Sequence, residues 1–292
     1  MKKTVFTGSA VAIITPFIHS GTDYDKLAEL IEFQITNETD AIVICGTTGE
    51  SSTMPDSEHK EVIRFAVQQV AGRVPVIAGA GVNDTRHAIE LSQYAQRVGA
   101  DAILSVTPYY NKTTQKGLVA HFSAIADSIK IPVIIYNVPS RTNLNIESDT
   151  VKELSAVENI VAIKECNFGQ VGEIIHTCGP DFSVYSGEDA LTLPLMALGG
   201  KGVISVMANI IPKDTHDICS LFFNYDIDAS RKLQLKTLAL IKALFAEVSP
   251  IPVKAAMNLM GMNVGVCRLP LVDASEGVIE KFKKSMSEYG LL

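Results

Sequence analysis

No stretch of this sequence stays apolar for the roughly 18 residues that a bilayer-spanning helix needs. Nor is there a run of five or more Lys and Arg, and 25 basic against 32 acidic residues leave a formal net charge of −7. Nucleic acid and anionic membrane are therefore poor partners. The five cysteines (Cys45, Cys166, Cys178, Cys219, Cys267) form no C-x-x-C. Their odd number, with Cys45 and Cys166 inside apolar runs, fits reduced thiols in the cytoplasm better than a disulfide framework. No H-x-H or H-E-x-x-H spacing joins the six histidines (His19, His59, His87, His121, His176, His216), so no metal is expected. A dinucleotide fingerprint is also missing, because Gly79-Ala80-Gly81-Val82-Asn83 lacks its third glycine. The first eight residues carry two lysines but no sustained apolar segment, which argues against a signal peptide.

What is present is alternation. Eight short Val/Ile-rich runs punctuate the first part of the chain: Ala10–Thr15, Ala41–Cys45, Val74–Ala78, Ala102–Val106, Pro132–Tyr136, Ile160–Lys164, Phe182–Tyr185 and Gly202–Val206. Segments of helical periodicity lie between them, such as Thr85–Val98 with Ala88, Leu91, Ala95 and Val98 on one face. Continuous apolar strands alternating with amphipathic helices predict a parallel sheet covered on both faces. Eight such units in about 210 residues predict an α/β fold, a (β/α)₈ TIM barrel, over residues 1–225. Residues 226–292 read as a C-terminal helical extension packed on it, with helices over Ser230–Ala246, Ile251–Leu259 and Ser275–Tyr289. Gly199-Gly200-Lys201-Gly202 enters a strand from the wrong rim for a phosphate loop and reads as a helix-to-strand turn.

In such barrels the chemistry sits where the strands end. Strand ends here collect Gly46-Thr47-Thr48-Gly49-Glu50-Ser51, Thr107-Pro108-Tyr109-Tyr110-Asn111, Tyr136-Asn137-Val138-Pro139-Ser140-Arg141 and Tyr185-Ser186-Gly187-Glu188. Within the sixth run stands Lys164. An ammonium is costly to bury unpaired, and a lysine drawn out of water becomes a neutral amine that can form Schiff bases with carbonyls. The bland alternative is a lysine that snorkels or pairs with a carboxylate. Strict alternation puts Ile160, Ala162 and Lys164 on the inner face and Val161 and Ile163 on the outer. Tyr136 suits a proton donor and acceptor beside Lys164, against a core tyrosine with a satisfied hydroxyl. Thr47 and Tyr110 could pass protons onward, whereas Thr47 and Thr48 could equally be a tight turn. Arg141 suits a substrate carboxylate, with a surface salt bridge as the alternative.

These motifs, with Thr15-Pro16-Phe17, Gly202-Val203-Ile204-Ser205-Val206 and Pro250-Ile251-Pro252-Val253-Lys254, run over essentially the whole chain. In that order and spacing the chain resembles the pyruvate-dependent class I aldolase family that includes N-acetylneuraminate lyase. It looks most like the branch that condenses pyruvate with L-aspartate 4-semialdehyde to 4-hydroxy-tetrahydrodipicolinate, in diaminopimelate and lysine biosynthesis. The resemblance implies a lyase in which Lys164 forms the Schiff base and Tyr136, Thr47 and Tyr110 form the proton relay. It implies that Thr48 and the backbone at Ile204 hold pyruvate, that Gly187 lines the second-substrate pocket, and that Arg141 receives the semialdehyde carboxylate. No metal or organic cofactor is implied. A homotetramer is, with Tyr109 reaching across an interface.

Two other functions compete. A sister aldolase for sialic acid or a 2-keto-3-deoxy sugar acid would share Lys164 and Tyr136, but would have little use for Arg141. A non-catalytic sensor on an open α/β fold would need neither eight strands nor a nucleophile at one rim. The resemblance also implies a lysine-binding regulatory site at Ser51, Ser52, His59, Asn83 and Tyr109. There the chain departs from the pattern: His87 stands where lysine-sensitive relatives carry glutamate, and Asp56 where they carry histidine. Loss of a carboxylate facing an ammonium predicts weak or absent lysine inhibition.

Overall fold

The computed structural model describes residues 2–292. Strand β1 (Gly8–Ala12) is followed by a short hairpin, β2 (Phe17–Ile18) and β3 (Gly21–Thr22). Then come α1 (Tyr24–Thr36), β4 (Ala41–Ile44), α2 (Asp56–Val70), β5 (Val76–Gly79), α3 (Thr85–Val98), β6 (Ala102–Val106) and α4 (Gln115–Asp127). The chain continues through β7 (Val133–Asn137), α5 (Pro139–Thr142), α6 (Ser148–Ser155), β8 (Ile160–Glu165), α7 (Val171–Cys178), β9 (Ser183–Ser186), α8 (Thr192–Ala197) and β10 (Gly202–Ser205). It ends with α9 (Pro212–Phe223), α10 (Ile227–Lys236), α11 (Leu238–Leu244), α12 (Ile251–Leu259) and α13 (Glu276–Tyr289).

Eight parallel strands close into a barrel in the order β1-β10-β9-β8-β7-β6-β5-β4, with β4 returning to β1. All eight predicted runs supply a barrel strand. The hairpin β2–β3 was not anticipated, since two residues per strand leave no periodicity to read.

Alternation sorts the side chains into two layers. Val11, Ile42, Ile44, Ile103, Ile135 and Ile163 pack outward under the helices. Ala10, Ala12, Ala41, Val43, Ile77, Leu104, Ile134 and Ile204 fill the interior, where Phe6 stacks on Tyr185 with ring centroids 4.2 Å apart. Small alanines on β1 and β4 leave room for the two rings. Closure is tightest where β1 meets β10. A Cβ on Gly202, which sits at φ +136°, would come 1.8 Å from the Gly8 carbonyl oxygen. Only glycine tolerates that approach.

Two expectations need correction. The pairing of β7 with β8 slips between Val133 and Ile134, so that Val133 faces Ile160 while Ile134 faces Ala162. The unpaired Val161 therefore turns into the barrel and Ile160 turns out to the helices, the reverse of strict alternation. An extra residue in one strand inverts the phase on one side of it. Ala162, Ile163 and Lys164 lie beyond the slip and keep the predicted phase. Secondly, the helix expected over Ser230–Ala246 is two helices, α10 and α11. Thr237 lies between them, buried, with its hydroxyl donating to the Gln234 carbonyl at 2.8 Å. A hydroxyl bonded back to the chain competes with helical hydrogen bonding and marks the break.

Candidate active site

The C-terminal ends of the strands surround a cavity of about 310 Å³. Its walls include Thr47 and Thr48 after β4, Tyr136 and Arg141 from β7 and α5, Lys164 from β8, and Gly187 and Glu188 after β9. Lys164 is only 6% exposed. Burial lowers its pKa, against the nearby Cys166, Asp189 and Glu188, which raise it, while Arg141 lowers it further. The Nζ lies 4.4 Å from the centroid of the Tyr136 ring, on the neighbouring strand at the paired position. Burial holds the Tyr136 hydroxyl well above its ordinary value, and the Cys166 thiol pushes the same way. Both shifts favour the uncharged forms, an amine beside a phenol.

Thr47 and Thr48 sit in a turn closed by hydrogen bonds from Gly49 N to the Gly46 carbonyl and from Glu50 N to the Thr47 carbonyl, both 3.1 Å. The turn and the cavity wall are the same residues, so both meanings read from the sequence apply. Thr48 is buried, whereas Thr47 is exposed toward the opening. Arg141 stands at the mouth. Its Nη2 donates to the Ser249 carbonyl at 2.9 Å, and among the described residues it forms no ion pair. Most of its donors therefore remain free for a carboxylate.

Two predicted site residues do not line this cavity. Tyr110 is 93% exposed and has a left-handed backbone at φ +68°, so it points away from the site of its own chain. The Ile204 side chain is wholly buried in the barrel interior, and Val206, two residues on, contributes to the cavity wall. Sequence reasoning also missed Cys166, Glu188 and the segment Phe245–Ser249, which roofs the cavity from just before α12. The Pro250-Ile251-Pro252 motif marked that region, but nothing local tied it to the barrel rim. On the far face of β8, Glu165 is buried and its pKa is raised to about 7. Asn137 Nδ2 and Gln170 Nε2 each donate to it at 2.8 Å.

The regulatory candidates Ser51, Ser52, Asn83 and Tyr109 sit on the β4–α2, β5–α3 and β6–α4 connections, Asp56 and His59 at the start of α2 and His87 at the start of α3, and none of them lines the cavity around Lys164. His87 Nε2 meets Asp56 Oδ1 at 2.9 Å, and Lys60 donates to the other Asp56 oxygen at 2.5 Å. Asn83 Nδ2 donates to the Tyr109 carbonyl at 3.2 Å, and buried His59 contacts the Gly79 carbonyl at 2.8 Å. Ser51 and Ser52 begin the single helical turn Ser51–Thr53.

Comparisons with known proteins agree with this architecture. The sequence profile of the Dihydrodipicolinate synthetase family matches residues 5–289. The 4-hydroxy-tetrahydrodipicolinate synthase of Acetivibrio thermocellus is 68% identical over 292 residues, the full length of both chains. The enzyme of that name from a Thermoanaerobacter species is 57% identical, covering 99% of this chain and 98% of its own. Among solved structures, dihydrodipicolinate synthase from Aquifex aeolicus superposes with a TM-score of 0.96 at 47% identity, covering 98% of this chain and 99% of its own. The Thermotoga maritima enzyme gives 0.97 at 40% identity, covering 99% and 100%. With a matching barrel, a matching profile and relatives alike from end to end, the chain belongs to the dihydrodipicolinate synthetase family.

Proposed function

We propose that this chain condenses pyruvate with L-aspartate 4-semialdehyde through a Schiff base on Lys164, releasing 4-hydroxy-tetrahydrodipicolinate. One observation carries the assignment: a desolvated lysine lies against a tyrosine ring inside a cavity whose mouth holds an arginine that forms no ion pair among the described residues. The names of the relatives agree with it.

The neutral Lys164 amine adds to the pyruvate C2 carbonyl. Tyr136 donates a proton to the departing hydroxyl, water leaves, and an iminium remains. That iminium is an electron sink, so the pyruvyl methyl group loses a proton to the tyrosine oxygen and becomes a nucleophilic enamine. Its carbon attacks the aldehyde, and the new alkoxide takes the proton back. The amino group of the second substrate closes on C2 and expels Lys164 as an amine. Tyr136, held neutral by burial, can accept a proton only after passing its own onward, so a relay through Thr47 toward solvent fits the site. Thr48 binds the pyruvate carboxylate and Arg141 that of the semialdehyde. The iminium formed on Lys164 is the electron sink, which leaves no step requiring an organic cofactor.

The resemblance assigns Tyr110 to the same relay, and within one chain it lies outside the cavity. Its role is then exercised on a neighbouring copy, consistent with a homotetramer in the cytoplasm. For lysine, Asp56 is a carboxylate beside His87 that could stand in for the missing glutamate, and it is already shared by His87 and Lys60. A second ammonium would have to displace one of them. Inhibition by lysine is therefore weak, and strong inhibition below millimolar concentration in initial-rate assays would contradict this.

The deciding experiment measures turnover of pyruvate with aspartate semialdehyde, alongside mass measurement after borohydride reduction with pyruvate alone. Lys164→Ala should abolish the adduct, and an adduct on another lysine would refute the assignment. Turnover of sialic acid, or of a polyol aldehyde in preference to the semialdehyde, would replace the reaction with that of a sister aldolase.

A further inference from the structure

A second buried lysine has no place in the chemistry above. Lys254, in α12, has a side chain only 2% exposed and pairs at 2.5 Å with Glu50 Oε1, whose side chain is wholly buried. The other Glu50 oxygen accepts the Arg268 backbone N–H at 2.9 Å. Lys254 Nζ also donates to the Val266 carbonyl at 3.0 Å and lies 4.3 Å from the centroid of the Phe17 ring. Arg268 covers the same ring at 3.9 Å and grips Glu58 at 2.5 and 2.8 Å. The pair is therefore nearly closed off from solvent.

Its position matters more than its charge. Glu50 is the residue that ends the Thr47–Thr48 turn. Its N–H closes the turn on the Thr47 carbonyl, and its own carbonyl accepts the Thr53 N–H, each at 3.1 Å. It does so in the left-handed region, at φ +55°, which a residue with a Cβ adopts only under constraint. The buried carboxylate supplies that constraint from the far side, through Lys254. Just before α12, the Ser249 carbonyl holds Arg141. The same helix thus fixes the turn that faces pyruvate and, through its lead-in, the arginine at the mouth.

We propose that Lys254 is a positioning residue. Through Glu50 it sets the Thr47–Thr48 turn relative to Lys164, and with it the binding and activation of pyruvate. The inference rests on the reaction proposed above. A buried ion pair can often be exchanged for apolar groups without loss of stability, so a pair kept only to hold the fold would be replaceable as a unit. A pair that sets geometry would not be.

The test uses the full-length chain with Lys254→Met, Lys254→Arg, Glu50→Gln and the double variant Glu50→Gln/Lys254→Met. Melting temperature, kcat, KM for each substrate and the rate of borohydride-trapped adduct formation with pyruvate are read for each. In the double variant no charge is left unpaired, so its melting temperature should return toward wild type. Its KM for pyruvate and its adduct rate should remain impaired by roughly ten- to a hundredfold, as displacements of about 1 Å produce. KM for aspartate semialdehyde should change little, and Lys254→Arg should recover most of the adduct rate. A double variant with wild-type pyruvate kinetics would overturn the inference, as would equal losses for both substrates. Should wild type form the adduct yet fail to turn over the semialdehyde, the assigned reaction falls, while adduct rates still decide the role of Lys254. If Lys254→Met does not fold, the double variant and Lys254→Arg carry the test.

Discussion

Lys164 and Tyr136 illustrate how one physical cause serves two opposite needs. Burial disfavours the ammonium of one and the phenolate of the other, so both shifts favour the uncharged form, with the Nζ 4.4 Å from the ring centroid. Removing only the hydroxyl, in Tyr136→Phe, should lower kcat by roughly 10²–10⁴-fold, as loss of a general acid–base group does. Arg141→Ala should instead raise KM for aspartate semialdehyde and leave the pyruvate adduct intact. Steady-state kinetics and adduct trapping separate the two, and a lost adduct in Arg141→Ala would put the arginine at the pyruvate end. The lowered pKa of Lys164 also predicts a pH dependence. The folded chain releases this proton at lower pH than the unfolded one. Between the lowered value and the ordinary 10.5 the unfolded state binds more protons, so this group makes stability rise with pH across that window. The adduct rate should climb as pH rises through the lowered value, with its acid limb below 10.5. A rate independent of pH up to that point would show that Lys164 keeps its charge.

Among elements, the turn after β9 crowds the catalytic lysine. A Cβ at Gly187 would come 2.3 Å from Cys166 Sγ and 3.2 Å from Lys164 Cε. The sulfur can swing aside by rotation about one bond, but the lysine stem has less freedom inside the barrel. Gly187→Ala should therefore lower kcat by about tenfold through displacement of the amine. Adding Cys166→Ala should recover part of that loss. Unchanged kinetics in Gly187→Ala would mean that the lysine stem can move at no cost. The slip at Val161 belongs to the same scale. It inverts the faces of Ile160 and Val161 and leaves the catalytic end of β8 in phase. The lysine was legible because the phase that mattered ran from Ala162 onward.

For the whole molecule, the exposed Tyr110 is the feature that a single chain does not explain. The residue is 93% exposed beside a rim where the other relay residues line the cavity. If it completes the site of a second copy, an assembly of Tyr110→Phe and Lys164→Ala subunits should exceed the activity of either parent. Each intact residue would then compensate for the loss in its neighbour. Mixed assemblies no more active than the parents would confine the relay to one chain. Sedimentation should place the assembly near four times the 31.5 kDa chain.

The sequence by itself determined the eight strands, their closure into a barrel and the rim that carries Lys164, Tyr136, Thr47, Thr48 and Arg141. These follow from local periodicity and from the rule that such barrels work at the C-terminal ends of their strands. Only the tertiary structure decided that Tyr110 leaves the cavity, that Val206 joins its wall, and that Phe245–Ser249 roof it. The same is true of the pairing of Lys254 with Glu50. Each of these depends on where residues far apart in the chain come to rest. Periodicity reports only which face of its own element a residue occupies, and carries no information about the partner it will meet across the fold.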